Sequence, residues 1–185
     1  MMYSNLFFIE RFHLVNHELN ELLEGVDENV FLRVPKHGGW CIGEVISHVN
    51  KTTDLYLSQM EPPFEKKGEV LPKGDSEYYI PWTLRAFVKA VSPEFNLKLG
   101  TFPAFYPQKK VDLKREALLF HFNENMNRFL KIAERAEKEH INLDEIIVRN
   151  PIVKILKVPV SVCLIIHERH TQRHIGQIKR LIPKT

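Results

Sequence analysis

Cysteine is scarce in this 185-residue chain: Cys41 and Cys163 are the only two, and they form no C-x-x-C pair. That excludes a disulfide framework and suits a reducing compartment, so the expected location is the cytoplasm. Long apolar runs are missing too. The longest, residues 158–166 and 6–9, fall far short of the ~20 needed to span a bilayer, so no membrane association is expected. The opening residues Met1-Met2-Tyr3-Ser4-Asn5 lack the basic region and small-residue cleavage site of a secretory signal. Basic clusters are absent as well: no Lys/Arg run exceeds pairs such as Lys66-Lys67 and Lys109-Lys110, and the net charge is only +3. A nucleic-acid binder needs a basic stripe, so that role is not expected.

What is present is an ordinary globular composition, 44% hydrophobic and 26% charged, enough apolar material for one sizeable core. The length points to a single domain over residues 1–185. Four segments repeat apolar residues at steps of three and four, the helical period. The first, about 4–25, carries Phe8, Phe12, Val15, Leu19, Leu22 and Val26, with Gly25 as its stop. The second, about 40–60, lines up Ile42, Val45, Ile46, Val49, Thr53 and Tyr56 before Pro62-Pro63 ends it. The third, about 112–138, carries Leu119, Phe122, Met126, Phe129, Leu130, Ala133 and Ala136. The fourth, about 159–181, opens on Pro159 as a first helical residue.

Between the second and third helices, residues 61–111 hold most of the eleven prolines. A short helix is expected at 82–91. The remainder reads as ordered loop, because Phe64, Tyr78, Tyr79, Phe95, Phe102, Phe105 and Tyr106 are too aromatic for a free linker. The Val/Ile pieces at 146–148 and 152–153 are too short to imply a sheet. The expected fold class is therefore all-α, a four-helix bundle with one long crossover loop between helices 2 and 3.

Histidine is the unusual count, with nine in the chain. The core stripe of the fourth helix reads Val160, Cys163, Leu164, His167, His170, His174, Ile178 and Leu181, so three consecutive members are imidazoles. His170 and His174, four apart, stack on one face. Burying an unpaired imidazole costs roughly 1–3 kcal/mol, so this run needs compensation. A divalent metal supplies it, since H-x-x-x-H on a helix offers two nitrogens to one ion; a hydrogen-bonded core or a water-filled groove supplies it as well. His167 is open between ligand, partner behind the ligands and pocket wall. A third ligand would come from a facing helix, and His48 lies on the flank of the second helix's stripe, pointing along a seam or to solvent. His13, His17, His37, His121 and His140 are expected to be solvated.

The run Pro35-x-x-Gly38-Gly39-Trp40-Cys41-Ile42-Gly43-Glu44-Val45-Ile46-Ser47-His48-Val49 resembles the "P-x-x-G-x-W-S-I-x-E-V-L-x-H-L" segment that opens the second helix in the DinB-like superfamily, the YfiT branch included. The closing run His170-Thr171-Gln172-Arg173-His174-Ile175-Gly176-Gln177-Ile178 is similar to that family's "H-x-x-R-H-x-x-Q-I" ending. Both occur in order across nearly the whole chain. The resemblance implies up-down-down-up connectivity and a three-histidine site in which His48, His170 and His174 hold one divalent ion, whether nickel, zinc, iron or manganese. It further implies a metal-dependent hydrolase or a transferase acting with a low-molecular-weight thiol, on a small-molecule substrate, in a homodimer. A non-catalytic metal-binding or stress-induced dimeric bundle is the competing reading. No catalytic residue beyond the ligands is assigned.

Cys41 departs from the family's serine, which weakens a capping box with Glu44 by about 0.5–1 kcal/mol. A thiol at a helix N-terminus also raises the alternative of a lowered pKa, against the commoner buried, inert cysteine. Trp40 is expected to plug the core and fix the angle of the second helix. Glu44 is expected to cap rather than to support His48.

Overall fold

The first helix begins where the sequence supplies a cap. Ser4 accepts a hydrogen bond from the Phe7 N–H at 3.1 Å, which satisfies one of the unpaired amides of the first turn. Helix α1 (Asn5–Leu23) ends just before Gly25, whose φ of 71° a side-chain-bearing residue resists. The computed structural model describes residues 2–66, 70–95, 100–151, 153 and 155–183. Lys67, Ile152, and residues 67–69 and 96–99 of the long segment lie outside that set.

After the short helix α2 (Glu28–Phe31) come α3 (Ile42–Met60), α4 (Pro62–Glu65) and α5 (Arg85–Val91), the last preceded by a 3-10 turn at Trp82–Leu84. The second half of the chain holds α6 (Arg115–Glu139) and α7 (Val160–Leu181). The four long helices, α1, α3, α6 and α7, build the body of the molecule. Helix α1 packs most extensively on α6, α3 also packs on α6, and α7 lies against both α1 and α3. At the centre Phe12 of α1 stacks on Phe129 of α6, ring centres 4.8 Å apart. Burying side chains of this size stabilises the fold by about 1.5–3 kcal/mol each.

Polar contacts fix the seams. The Asn50 side chain donates to the Leu118 carbonyl at 2.9 Å, tying α3 to α6. The Arg115 guanidinium donates to the Leu23 and Val26 carbonyls, which meets the open acceptors at the end of α1. Two stripe positions sit one residue from expectation: Leu23 and Leu118 are buried, whereas Leu22 and Leu119 are only half-buried. A period of 3.6 residues is not an integer, so a face read in steps of three and four drifts toward helix ends.

Two short strand pairs correct the expectation that no sheet forms. Strand β1 (Tyr3–Ser4) pairs antiparallel with β2 (Glu77–Tyr78), and β3 (Ile147–Arg149) with β4 (Lys157–Pro159). Neither pair stands alone. Val148 and Val158 bury against the core, and Tyr78, fully buried, donates to Asn5 Oδ1 at 2.8 Å. Pro159 belongs to β4 and precedes α7 as its cap instead of starting the helix. Within the long segment Tyr78 and Phe105 are buried, while Tyr79, Phe102 and Tyr106 stay exposed. Among the described residues, no helix is long and apolar enough to cross a membrane.

Candidate metal centre

Helix α7 changes character along its length. From Val160 to Ile166 every side chain is buried, and the next turns carry His167, His170 and His174 on the continuation of that stripe. Helix α3 faces it and contributes His48, 5% exposed. The seam brings the three together: one ring nitrogen each from His48, His170 and His174 lies within 4.8 Å of the others. His170 Nε2 is 3.3 Å from His48 Nε2 and 3.1 Å from His174 Nε2. Among the described residues no fourth Cys, His, Asp or Glu joins this group.

The outer nitrogens are already committed. His48 Nδ1 donates to the Phe105 carbonyl at 2.7 Å, and a carbonyl can only accept, so Nε2 of that neutral ring is a bare lone pair. His174 Nδ1 donates to Gln177 Oε1 at 2.9 Å, which leaves its Nε2 in the same condition. His170 Nε2 therefore faces two lone pairs and has at most one proton to offer them. Burial lowers the His48 pKa, against a smaller opposing effect of the Phe105 carbonyl. Burial also lowers His174, to about 3, and takes His170 well below its usual value, with the neighbouring imidazoles adding to the second. All three rings are neutral near pH 7, the state in which imidazole is a ligand.

The donor spacing tests whether an ion fits. Two imidazole nitrogens about 2.0–2.1 Å from one tetrahedral ion sit about 3.3 Å apart. The two separations that His170 makes, 3.1 and 3.3 Å, meet that requirement, and the third pair lies within 4.8 Å. A cation between the rings also resolves the confrontation of lone pairs, which no arrangement of protons on three neutral rings does.

The group opens into a cavity of about 1040 Å3. Trp40, half-buried, lies 4.8 Å from His48 between ring centres and lines this space, which corrects the reading of it as a core plug alone. Phe105 closes the other side of His48. The wall that carries Phe105 is pinned through its backbone. Besides His48, Lys51 donates to the Tyr106 carbonyl at 2.8 Å, and Ser47 Oγ accepts from the Gln108 N–H at 2.9 Å.

A sequence profile for the DinB superfamily matches residues 11–178. The chain belongs to the DinB superfamily. Among solved structures it is similar to YfiT from Bacillus subtilis, described as a probable metal-dependent hydrolase with an unusual four-helix bundle topology. That likeness has a TM-score of 0.60 at 14% identity and covers 96% of this chain and 85% of the other, so it speaks to the fold. No curated protein sequence matches this chain.

Against this family background the remaining residues fall into place. His167 stands outside the trio. Its ring packs edge-on to Tyr56 at 4.5 Å and beside Phe129 at 5.1 Å, with its centre 6.4 Å from that of His170. Neither ring nitrogen has a hydrogen-bond partner among the described residues, and burial lowers its pKa to about 3. Glu44 caps α3, accepting from the Cys41 N–H at 2.8 Å, and among the described residues His48 makes its hydrogen bonds with Phe105 and His170 instead. The other half of that capping box falls to a sulfur, a weak acceptor. Cys41 is fully buried and burial raises its thiol pKa, contrary to the alternative of an activated thiol. His13, His17, His37, His121 and His140 are exposed, with His121 beside Asp54 at 2.9 Å and His140 ending α6 at a φ of 53°. Sequence reasoning missed two partners of the trio. Gln177, three residues after His174 on the same face, was readable by helical spacing. The Phe105 carbonyl was not, since a main-chain atom leaves no signature.

Proposed function

We propose that this chain is a metal-dependent enzyme in which His48, His170 and His174 hold one divalent cation at the floor of the aromatic cavity. The observation that carries this reading is the convergence of three Nε2 atoms, two of them stripped of protons by outer hydrogen bonds, on a wall open to a cavity large enough for a small molecule. Three neutral donors would leave such an ion its full charge, and the chemistry it would supply is the acidification of a water or small thiol. The chain's own contribution is positional. Phe105 and Gln177 fix the rings of His48 and His174, and Trp40, Phe105 and Phe102 enclose the reacting end of the substrate and limit water around it.

Hydrolysis of a small-molecule substrate is the first activity to test, in keeping with what is said of YfiT; transfer to a low-molecular-weight thiol is the second. Nickel, zinc, iron and manganese all accept imidazole, and availability decides among them. The chain is read as a single cytoplasmic domain over residues 1–185, with up-down-down-up connectivity, the 61–111 segment crossing over, and a homodimer as its assembly. A purely structural metal site is disfavoured by the lack of a fourth protein donor among the described residues.

Elemental analysis of untagged protein tests the proposal. About one divalent ion per chain, lost in His48→Ala, supports it. A metal-free protein that takes up none of the four metals, or one whose metal survives His48→Ala, overturns it. Turnover of simple ester, amide and thiol-acceptor substrates by the loaded protein then decides between catalysis and the non-catalytic dimeric bundle.

A further inference from the structure

The cavity is unusual in its charge. Its walls are aromatic, with Trp40, Phe87, Phe95, Phe102 and Phe105 among them, and two arginines, Arg173 and Arg180, line it as well. Among the described residues, no aspartate or glutamate lines it. The nearby acids are already matched elsewhere: Glu18 with Lys179 at 2.6 Å, Glu94 with Arg169 at 3.4 Å, and Glu168 with Arg11 at 2.6 Å.

The two arginines are not equivalent. Arg173 donates to the carbonyls of Ala90, Ser92 and Phe95, at 3.4, 3.2 and 2.5 Å, and so closes the end of α5 against α7. Arg180 is exposed and makes no hydrogen bond or ion pair among the described residues. Its guanidinium folds back one turn over Gly176, where a Cβ would lie 3.7 Å from Nη1. Glycine inside a helix costs about 1 kcal/mol relative to alanine. Here the missing side chain leaves a flat face beside the cavity on which the guanidinium rests. Arg173 and Arg180 both line the cavity, and no carboxylate stands among its described lining residues to neutralise them. A cleft with positive charge of one sign and low-dielectric walls concentrates anions.

We infer that the cavity takes a small molecule with an apolar or aromatic body and an anionic group, a carboxylate or a sulfonate, and that Arg180 is the residue that selects for the anion. This rests on the reading of the cavity as a substrate pocket and not on the identity of the metal. Guanidinium pairs with a planar carboxylate through two parallel hydrogen bonds, and the aromatic walls accept the body.

The test uses the full-length chain saturated with zinc and three probes of one shape: 4-phenylbutyrate, 4-phenylbutyramide and 4-phenylbutylamine, titrated calorimetrically at low salt. The carboxylate is expected to bind at least tenfold more tightly than the amide. Arg180→Gln brings the two within about twofold, Arg180→Lys keeps much of the preference, and Arg180→Glu favours the amine, with zinc content and melting temperature unchanged. A carboxylate that binds no better than the amide, including no binding at all, overturns the inference. So does a preference that survives Arg180→Gln. Repeating the titrations without zinc separates the two proposals. A preference that follows Arg180 in the metal-free chain supports this one whatever becomes of the metal centre; one that follows zinc and ignores Arg180 overturns it.

Discussion

Two helices of this molecule carry histidines four residues apart, and they put them to opposite ends. On α1, His13 and His17 face solvent, and His17 does no more than approach Glu21 at 3.3 Å. On α7, His170 and His174 sit in the seam with α3, with Nε2 atoms 3.1 Å apart. The spacing is identical, so spacing decides nothing. Phase relative to the apolar stripe does. On α1 the stripe Phe8, Phe12, Val15, Leu19 is complete without the histidines, which fall beside it. On α7 the imidazoles replace apolar members of the stripe and are carried inward with it. A third imidazole from the facing helix then completes a set that α1 has no counterpart for among the described residues.

Substitution should break this contrast in a graded way. The largest effect is expected from His174→Ala or His170→Ala, which should weaken divalent-metal binding by well over the roughly 10–100-fold typical of an outer partner, while His13→Ala and His17→Ala leave it unchanged. Competition against a colorimetric chelator measures all four. Next in size, Gln177→Leu removes the acceptor that orients His174 and should cost about 10–100-fold in metal affinity with the fold retained, whereas Glu21→Leu beside His17 should have no such effect. The same competition assay reads this pair, with circular dichroism to verify folding.

A smaller change sharpens the comparison from within α7. His167 shares the buried stripe but has no hydrogen-bond partner for either ring nitrogen among the described residues. His167→Leu should therefore raise the stability of the metal-free chain by about 1 kcal/mol in urea unfolding and leave metal content alone. A fall in metal content would place His167 with the trio instead. The smallest effect belongs to the surface pair: His17→Ala should shift unfolding by no more than about 0.5 kcal/mol, detectable only as coincident urea curves.

The legible parts of this molecule are those whose signal is periodic. Helix α7 announces both its fold and its chemistry, because three imidazoles interrupt an apolar stripe whose phase is set by Val160, Cys163 and Leu164. His48 was legible only as a flank position; the packing of α3 on α7 decides that it points into the seam. The strand pairs were not legible, since two or three residues hold no period and their pairing depends on what lies beneath Val148 and Val158. Trp40 was legible only in part for a related reason: it packs against the core as expected but also walls the cavity, and only the shape of the opposite side tells. The cavity itself draws, among the described residues, on five separate stretches of chain, and no local pattern encodes such a meeting.

The hydrogen bond from His48 to the Phe105 carbonyl has a consequence for how such sites vary among related chains. Its acceptor belongs to the main chain, so replacing the side chain at 105 does not delete it; only a shift in the path of the wall does. The tautomer of His48 is thus guarded by the route of a peptide strand and by the Ser47 and Lys51 contacts that hold that route in place. Chains that share no residue at this position can preserve the same imidazole chemistry, and a search for a matching letter there would pass them by.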